Sequence, residues 1–142
     1  MRINLGDLGR ELKDAELAER EHFPELERCL RTGRPDSAVY LDLGGVEFVG
    51  FAYACSTVVR CVAGVLRGEY PTRWLVLCAG ERQDTAGLDG LAQALASHRQ
   101  TLLLLQRPRV AAFGYLSREQ PFEPRRVQRK RQKMGNLLTL LW

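Results

Sequence analysis

Residues 39–59 decide the fold, and they read VYLDLGGVEFVGFAYACSTVV. The first part predicts a strand over residues 38–43, with Asp42 near its carboxyl end. Gly44 and Gly45 predict a tight turn, and residues 46–50 lead into a helix predicted over residues 51–66. That helix is apolar on several faces, so we expect it to be buried on several sides. It must lie between a sheet and something else, and a partner chain is one candidate.

Towards the amino terminus, the pattern predicts one short strand followed by two helical pieces. Residues 2–5 form the first strand, and apolar residues then recur at steps of three and four, as in a helix. Because Pro24 costs a hydrogen bond inside a helix, we predict helices over 6–21 and 24–32. The stretch TGRPDS, residues 32–37, predicts a turn.

Towards the carboxyl terminus, the nearly continuous apolar run of residues 74–79 predicts a central strand covered on both sides. Asp84 or Thr85 is expected to cap the next helix. Two apolar runs, 101–106 and 110–116, are joined by Arg-Pro-Arg and predict a hairpin. The order of strands and helices therefore predicts an α/β fold with a mixed or mainly parallel sheet and packed helices.

Length and composition indicate one domain with a short appendage. The chain has 142 residues, of which 45% are hydrophobic and 27% charged, as in ordinary globular proteins. We predict an α/β domain over residues 1–116 and a basic helical extension over residues 117–142. No apolar run approaches the roughly 18 residues that span a bilayer, and the first residues carry charges. A cytoplasmic protein with no membrane partner is expected.

Charge is unevenly divided along the chain. Residues 1–106 carry 12 Lys and Arg against 15 Asp and Glu, a net charge of −3. Residues 107–142 carry nine against two, a net charge of +7, which together give the total of +4. The basic character therefore belongs to the last quarter of the chain, where it indicates an acidic partner.

No arrangement of residues typical of catalysis is visible. Gly44 and Gly45 lack the further glycines and the Lys of a phosphate-binding loop. The four cysteines form no CxxC pair and are expected to act as small buried hydrophobes, with Cys29 as the alternative redox-sensing thiol. We therefore predict no enzyme, no catalytic residue, no cofactor and no metal. A less favoured hypothesis is an enzyme that uses Asp42 in a pocket at the strand ends.

The segment 39–59, together with INLGDLGRELKDAELAER at residues 3–20, resembles the STAS-like family and, more broadly, the STAS domain of anti-sigma-factor antagonists. In both, a hydrophobic strand ends in Asp, a turn follows, and a loop of small residues opens an apolar helix. The resemblance covers about residues 1–106. It implies a STAS-like layered fold and a regulatory module that binds a protein partner.

STAS antagonists carry a phosphorylatable Ser in the loop before that helix. Here the loop reads Val-Gly-Phe-Ala-Tyr, residues 49–53, without Ser or Thr, so the resemblance implies a module without a phosphorylation switch. Ser56 and Thr57 lie a turn inside the predicted helix, where hydroxyls bond to preceding carbonyls. The protein-binding surface implied by the family falls on Gly50, Phe51 and Tyr53. The alternative is that Phe51 and Tyr53 pack in the core.

The basic extension has no counterpart in a minimal STAS domain. Its candidate nucleic-acid-binding residues are Arg125, Arg126, Arg129, Lys130, Arg131 and Lys133. Three roles remain open: docking on the acidic body or a neighbouring subunit, contact with nucleic-acid phosphates, and, less favoured, attachment to a membrane surface. We expect a non-catalytic regulatory module whose partner is a protein, with a second copy of the chain as one candidate. Nucleic-acid binding through the extension is the alternative.

Overall fold

The computed structural model describes residues 1–115, which form seven strands and five α-helices. The strands are β1 (Arg2–Asn4), β2 (Glu11–Leu12), β3 (Ser37–Asp42), β4 (Phe48–Val49), β5 (Thr72–Cys78), β6 (Thr101–Gln106) and β7 (Arg109–Gly114). The helices are α1 (Ala15–Leu17), α2 (Phe23–Arg31), α3 (Phe51–Ser56), α4 (Val58–Leu66) and α5 (Asp89–Ser97). The predicted helical extension, residues 117–142, lies outside the described residues.

Five of the strands form one sheet in the order β1-β3-β5-β6-β7. The first four run parallel, and β7 pairs antiparallel with β6 through the predicted hairpin. The predicted α/β class and mainly parallel sheet are therefore confirmed. β2 and β4 form a separate parallel pair of two residues each.

The helices described here pack against one face of this sheet. Each connection between parallel strands moves one position in the same direction, and right-handed crossovers of that kind place all helices on one side. On that side, which we call the covered face, strand residues share one apolar core with residues of α2, α4 and α5. The strand members of the covered face include Val39, Leu41, Leu75, Leu77, Leu102 and Leu104.

The other side of the sheet holds a second, smaller apolar cluster made of strand residues alone. We call this side the open face, and it comprises Ala38, Tyr40, Trp74, Val76, Cys78, Leu103, Leu105, Val110 and Ala112. Within residues 1–115 no second layer lies on this side, although Val76 and Cys78 of β5 are buried, and the prediction that the strand at residues 74–79 is covered on both sides stays a prediction. On this side Val76 and Cys78 of the central strand β5 are shielded by side chains of the neighbouring strands β3 and β6.

The helix predicted over residues 51–66 is two helices, α3 and α4. The backbone breaks at Thr57, whose φ of −124° and ψ of −86° are not helical. Thr57 Oγ1 donates a hydrogen bond of 2.8 Å to the Tyr53 carbonyl, as predicted for a hydroxyl inside the helix. Most apolar residues of the pair are buried by the chain itself, since α3 contacts α1 and α5 while α4 contacts β5, whereas Phe51 and Leu66 stay exposed.

The prediction of a helix over residues 6–21 is wrong at its start. Residues 5–8 form a 3₁₀ turn, and Gly9 takes a φ of +146° that a helix does not allow. The helical run begins at α1, where the Asp14 side chain accepts a hydrogen bond of 3.1 Å from the Leu17 amide. It continues to Arg31 through a π-helical turn at Ala18–His22, and Pro24 is accommodated in the first turn of α2.

No helix among residues 1–115 is long and apolar enough to cross a membrane.

Candidate interaction surfaces

The segment β4–α3 is held from two sides. On one side Gly50 donates a backbone hydrogen bond of 2.7 Å to the Leu12 carbonyl, next to the pairing of β4 with β2. On the other side Gly87 and Gly90 lie so close that a Cβ on either would collide with the carbonyl oxygens of Glu47 and Val49. Because both glycines allow backbone-to-backbone contact, the position of this segment is fixed by its neighbours.

Two large aromatic side chains project from this segment into solvent. Phe48 is 43% exposed and Phe51 is 46% exposed, whereas most large apolar residues among the described ones are buried. Together with Gly50 they form what we call the aromatic corner. Beside it, Glu11 pairs with Phe48 across the strands and makes an ion pair of 3.0 Å with Lys13. The corner therefore presents two partly exposed aromatic side chains close in the chain, with charges of both signs beside Phe48.

Tyr53, predicted to share this surface, lies in the core. It is only 3% exposed, and its hydroxyl lies 2.6 Å from Nδ1 of His22, which is also buried. Burial raises the pKa of Tyr53 to about 12. Helical periodicity explains the outcome, because residues two apart on a helix point in different directions. The predicted trio is thus divided, with Gly50 and Phe51 at the surface and Tyr53 beneath it.

The structure adds Phe48, which the sequence analysis did not select. Its exposure depends on the pairing of β4 with β2, and a strand of two residues leaves no alternation to detect. Ser56 is half-buried, with Oγ 3.5 Å from Glu19 Oε1, and Thr57 is fully buried. Neither hydroxyl lies in the loop where the family carries its phosphorylated Ser.

Asp42 lies in a cleft of about 680 Å³ at the carboxyl ends of the parallel strands. Its Oδ1 accepts a hydrogen bond of 2.8 Å from the Gly44 amide, and Oδ2 lies 3.3 Å from Nη1 of Arg2. Glu81 and Arg107 line the same cleft. Sequence reasoning placed no second acidic residue there, because Glu81 belongs to the loop after β5. The contacts of Asp42 are those of a turn-fixing carboxylate.

The thiols and histidines do not assemble into a reactive group among the described residues. Burial raises the pKa of Cys55 and Cys78, and raises that of Cys61 to about 12, which lowers the fraction of reactive thiolate. His98 Nδ1 lies 2.9 Å from the Ala94 carbonyl. Within residues 1–115 there is no cluster of three His, Cys, Asp or Glu side chains suited to a metal. Cys29, the candidate redox thiol, is half-buried on α2.

The predicted nucleic-acid-binding residues all lie outside the described residues. They are Arg125, Arg126, Arg129, Lys130, Arg131 and Lys133. Their role stays a prediction from the sequence.

Comparison with models of protein families finds no match, and comparisons with curated proteins and with solved structures find none either. The resemblance to the STAS-like family therefore stays a prediction. The function is therefore inferred from the exposed aromatic corner and from the charge distribution along the chain.

Proposed function

We propose that this chain is a non-catalytic regulatory module of STAS-like type that binds another protein through the aromatic corner. One observation carries the proposal: Phe48 and Phe51 are both more than 40% exposed on a segment fixed from both sides. Aromatic side chains are enriched among the residues that dominate binding energy at protein interfaces.

The rigid setting of the corner supports this role. A binding residue that is already held in position loses less conformational entropy when a partner docks. Gly87 and Gly90 set the backbone of β4–α3, and β2 holds its other side, so the two rings are presented by a prepared surface. The expected partner is a different protein with an apolar pocket for the rings and polar groups facing Glu11 and Lys13.

Site-specific photo-crosslinking, followed by titration, tests the proposal. A benzophenone side chain replaces Phe51 in one variant and Leu66 in a control, since Leu66 is 76% exposed but belongs to α4. We expect position 51 to trap one protein in the cell that position 66 does not trap. With that protein purified, Phe51→Ser should weaken binding about thirtyfold, as for loss of about 2 kcal/mol at an aromatic anchor.

The matched variant Leu66→Ser should leave the affinity unchanged. Equal trapping at positions 51 and 66, or an affinity that survives Phe51→Ser, would refute the role of the corner. Trapping of a second copy alone would replace the proposed partner by self-association.

Nucleic-acid binding is the second candidate, and the charge distribution favours it. Residues 116–142 carry seven Lys and Arg against two Asp and Glu, whereas residues 1–115 carry 14 against 15. Replacing Arg125, Arg126, Arg129 and Lys130 by Gln should weaken binding to a mixed-sequence duplex and flatten its salt dependence. Equal binding by the parent and the variant would rule this function out.

A further inference from the structure

The open face of the sheet is apolar and is left without a layer by the described residues. Six of its members are only half-buried, namely Ala38, Tyr40, Trp74, Leu103, Val110 and Ala112. Parallel sheets are almost always covered on both faces, because their strands are apolar on both sides. The question raised by this face is therefore which chain segment or molecule covers it.

The size of the open face favours a single chain segment over a second copy. Four strands, β3, β5, β6 and β7, contribute to this face, and at about 4.8 Å spacing with about six residues each at 3.3 Å they give a face of about 20 Å by 20 Å. The flat area of such a face is about 400 Å², whereas stable protein interfaces bury about 800 Å² of accessible surface on each partner. A dimer through this face alone would lie at the small end of stable interfaces.

The chain itself leads from this face into residues 116–142. Tyr115 donates a backbone hydrogen bond of 2.8 Å to the Gln100 carbonyl, and Thr101 Oγ1 donates one of 2.6 Å to the Tyr115 carbonyl. The chain therefore leaves the sheet beside the start of β6, at the edge formed by β7. A connection from this edge to the open face needs no crossing of the helical layer.

Residues 116–142 contain apolar side chains of the kind that a covering layer for the open face requires. They include the apolar residues Phe122, Val127, Met134, Leu137, Leu138, Leu140, Leu141 and Trp142. These side chains are apolar, as are the residues of the open face that they would cover. We propose that the open face is the docking surface for residues 116–142 of the same chain.

This docking lies outside the proposed function, because the aromatic corner and the open face are different surfaces. It also places the seven basic residues of the segment on the body of the protein, on the side of the sheet away from the helices. The docked segment turns a sheet with one covered face into a sheet covered on both sides.

Limited trypsin digestion of the full chain under native conditions tests the docking. The segment is rich in trypsin sites, and cleavage there reports how often it leaves the body. In Ala112→Glu, a carboxylate stands on the open face at the β7 edge, where the chain leaves the sheet, and it replaces a half-buried apolar side chain. We expect cleavage between Arg125 and Lys133 to become about tenfold faster. The matched control is Ala52→Glu on the exposed side of α3, which should cleave as the parent does.

A second variant keeps the test valid if Ala112→Glu perturbs the sheet. Leu138→Glu with Leu141→Glu changes only the segment, and it should release the segment to the same extent while the circular dichroism of the body is retained. Cleavage of the parent as fast as both variants would overturn the proposal. Protection that grows with protein concentration, together with a dimer by light scattering, would also overturn it and assign the face to a second copy.

Discussion

The covered and open faces of the sheet are built from the same strands, and their residues are nearly equally apolar. On the covered face, Leu41, Leu77 and Leu104 are sealed by helices, whereas on the open face Tyr40, Trp74 and Leu103 stay half-exposed. The difference comes from the connections, because each crossover moves in the same direction and returns on the same side. Strand composition alone therefore does not reveal which side of a parallel sheet carries the helices.

The largest expected effect compares two neighbouring leucines of β6. Leu104 is 7% exposed on the covered face, and Leu103 points to the open face. Leu104→Ala should lower the free energy of unfolding by about 3 kcal/mol, because it leaves a cavity that the packed core does not refill. Leu103→Ala should cost at least about 1 kcal/mol less. Urea denaturation of the two variants measures the difference, and equal losses would mean that both faces are equally well packed.

A smaller effect is expected for the buried polar pair of Tyr53, on α3, and His22. Tyr53→Phe removes the hydroxyl that lies 2.6 Å from His22 Nδ1, and should cost about 1–2 kcal/mol because the ring nitrogen stays buried. The pKa of Tyr53 is raised by burial to about 12, so the unfolded chain loses this proton first as the pH rises. The contribution of the Tyr53 hydroxyl to the free energy of unfolding is therefore fully present below about pH 10 and is lost between about pH 10 and 12.

Thermal melting across this pH range checks the assignment to Tyr53. The parent should lose more stability than Tyr53→Phe between about pH 10 and 12. Two parallel curves would show that the hydroxyl of Tyr53 is not protected by burial.

The smallest effect is expected at the polar end of the open face. Asp42→Asn keeps an acceptor for the Gly44 amide and loses only the ion pair with Arg2, a side chain that is 60% exposed. The free energy of unfolding should fall by about 0.5 kcal/mol or less. A loss above about 2 kcal/mol in urea denaturation would show that the ion pair supports the sheet edge.

Much of the framework could be predicted from the sequence, because strong local patterns governed it. The apolar runs at 38–43, 74–79 and 101–106 lie in β3, β5 and β6, and Arg-Pro-Arg joins the hairpin strands. The helix predictions were wrong at the positions where tertiary or side-chain contacts determine the backbone conformation. Gly9 stops a regular helical pattern, and Thr57 divides an apolar helix through a side-chain hydrogen bond to the backbone.

The residues of the aromatic corner were identified only in part from the sequence. The resemblance to the STAS-like family selected Gly50, Phe51 and Tyr53 together, but the burial of Tyr53 depends on its packing against His22. Phe48 was not selected, because its exposure depends on pairing with Glu11 of β2, which lies 37 residues earlier in the chain. The resemblance pointed to the segment, and only the packing of distant elements shows which of its side chains are exposed.

The agreement between strand order and chain order has a consequence for how the protein is made. Every strand of the main sheet pairs with the strand that precedes it in that sheet along the chain, so each can add to the growing edge as it leaves the ribosome. No strand has to insert between two that are already paired. Sheet growth from the amino end therefore needs only closures of moderate length, and an incomplete chain always presents one unpaired parallel edge that the next strand will fill.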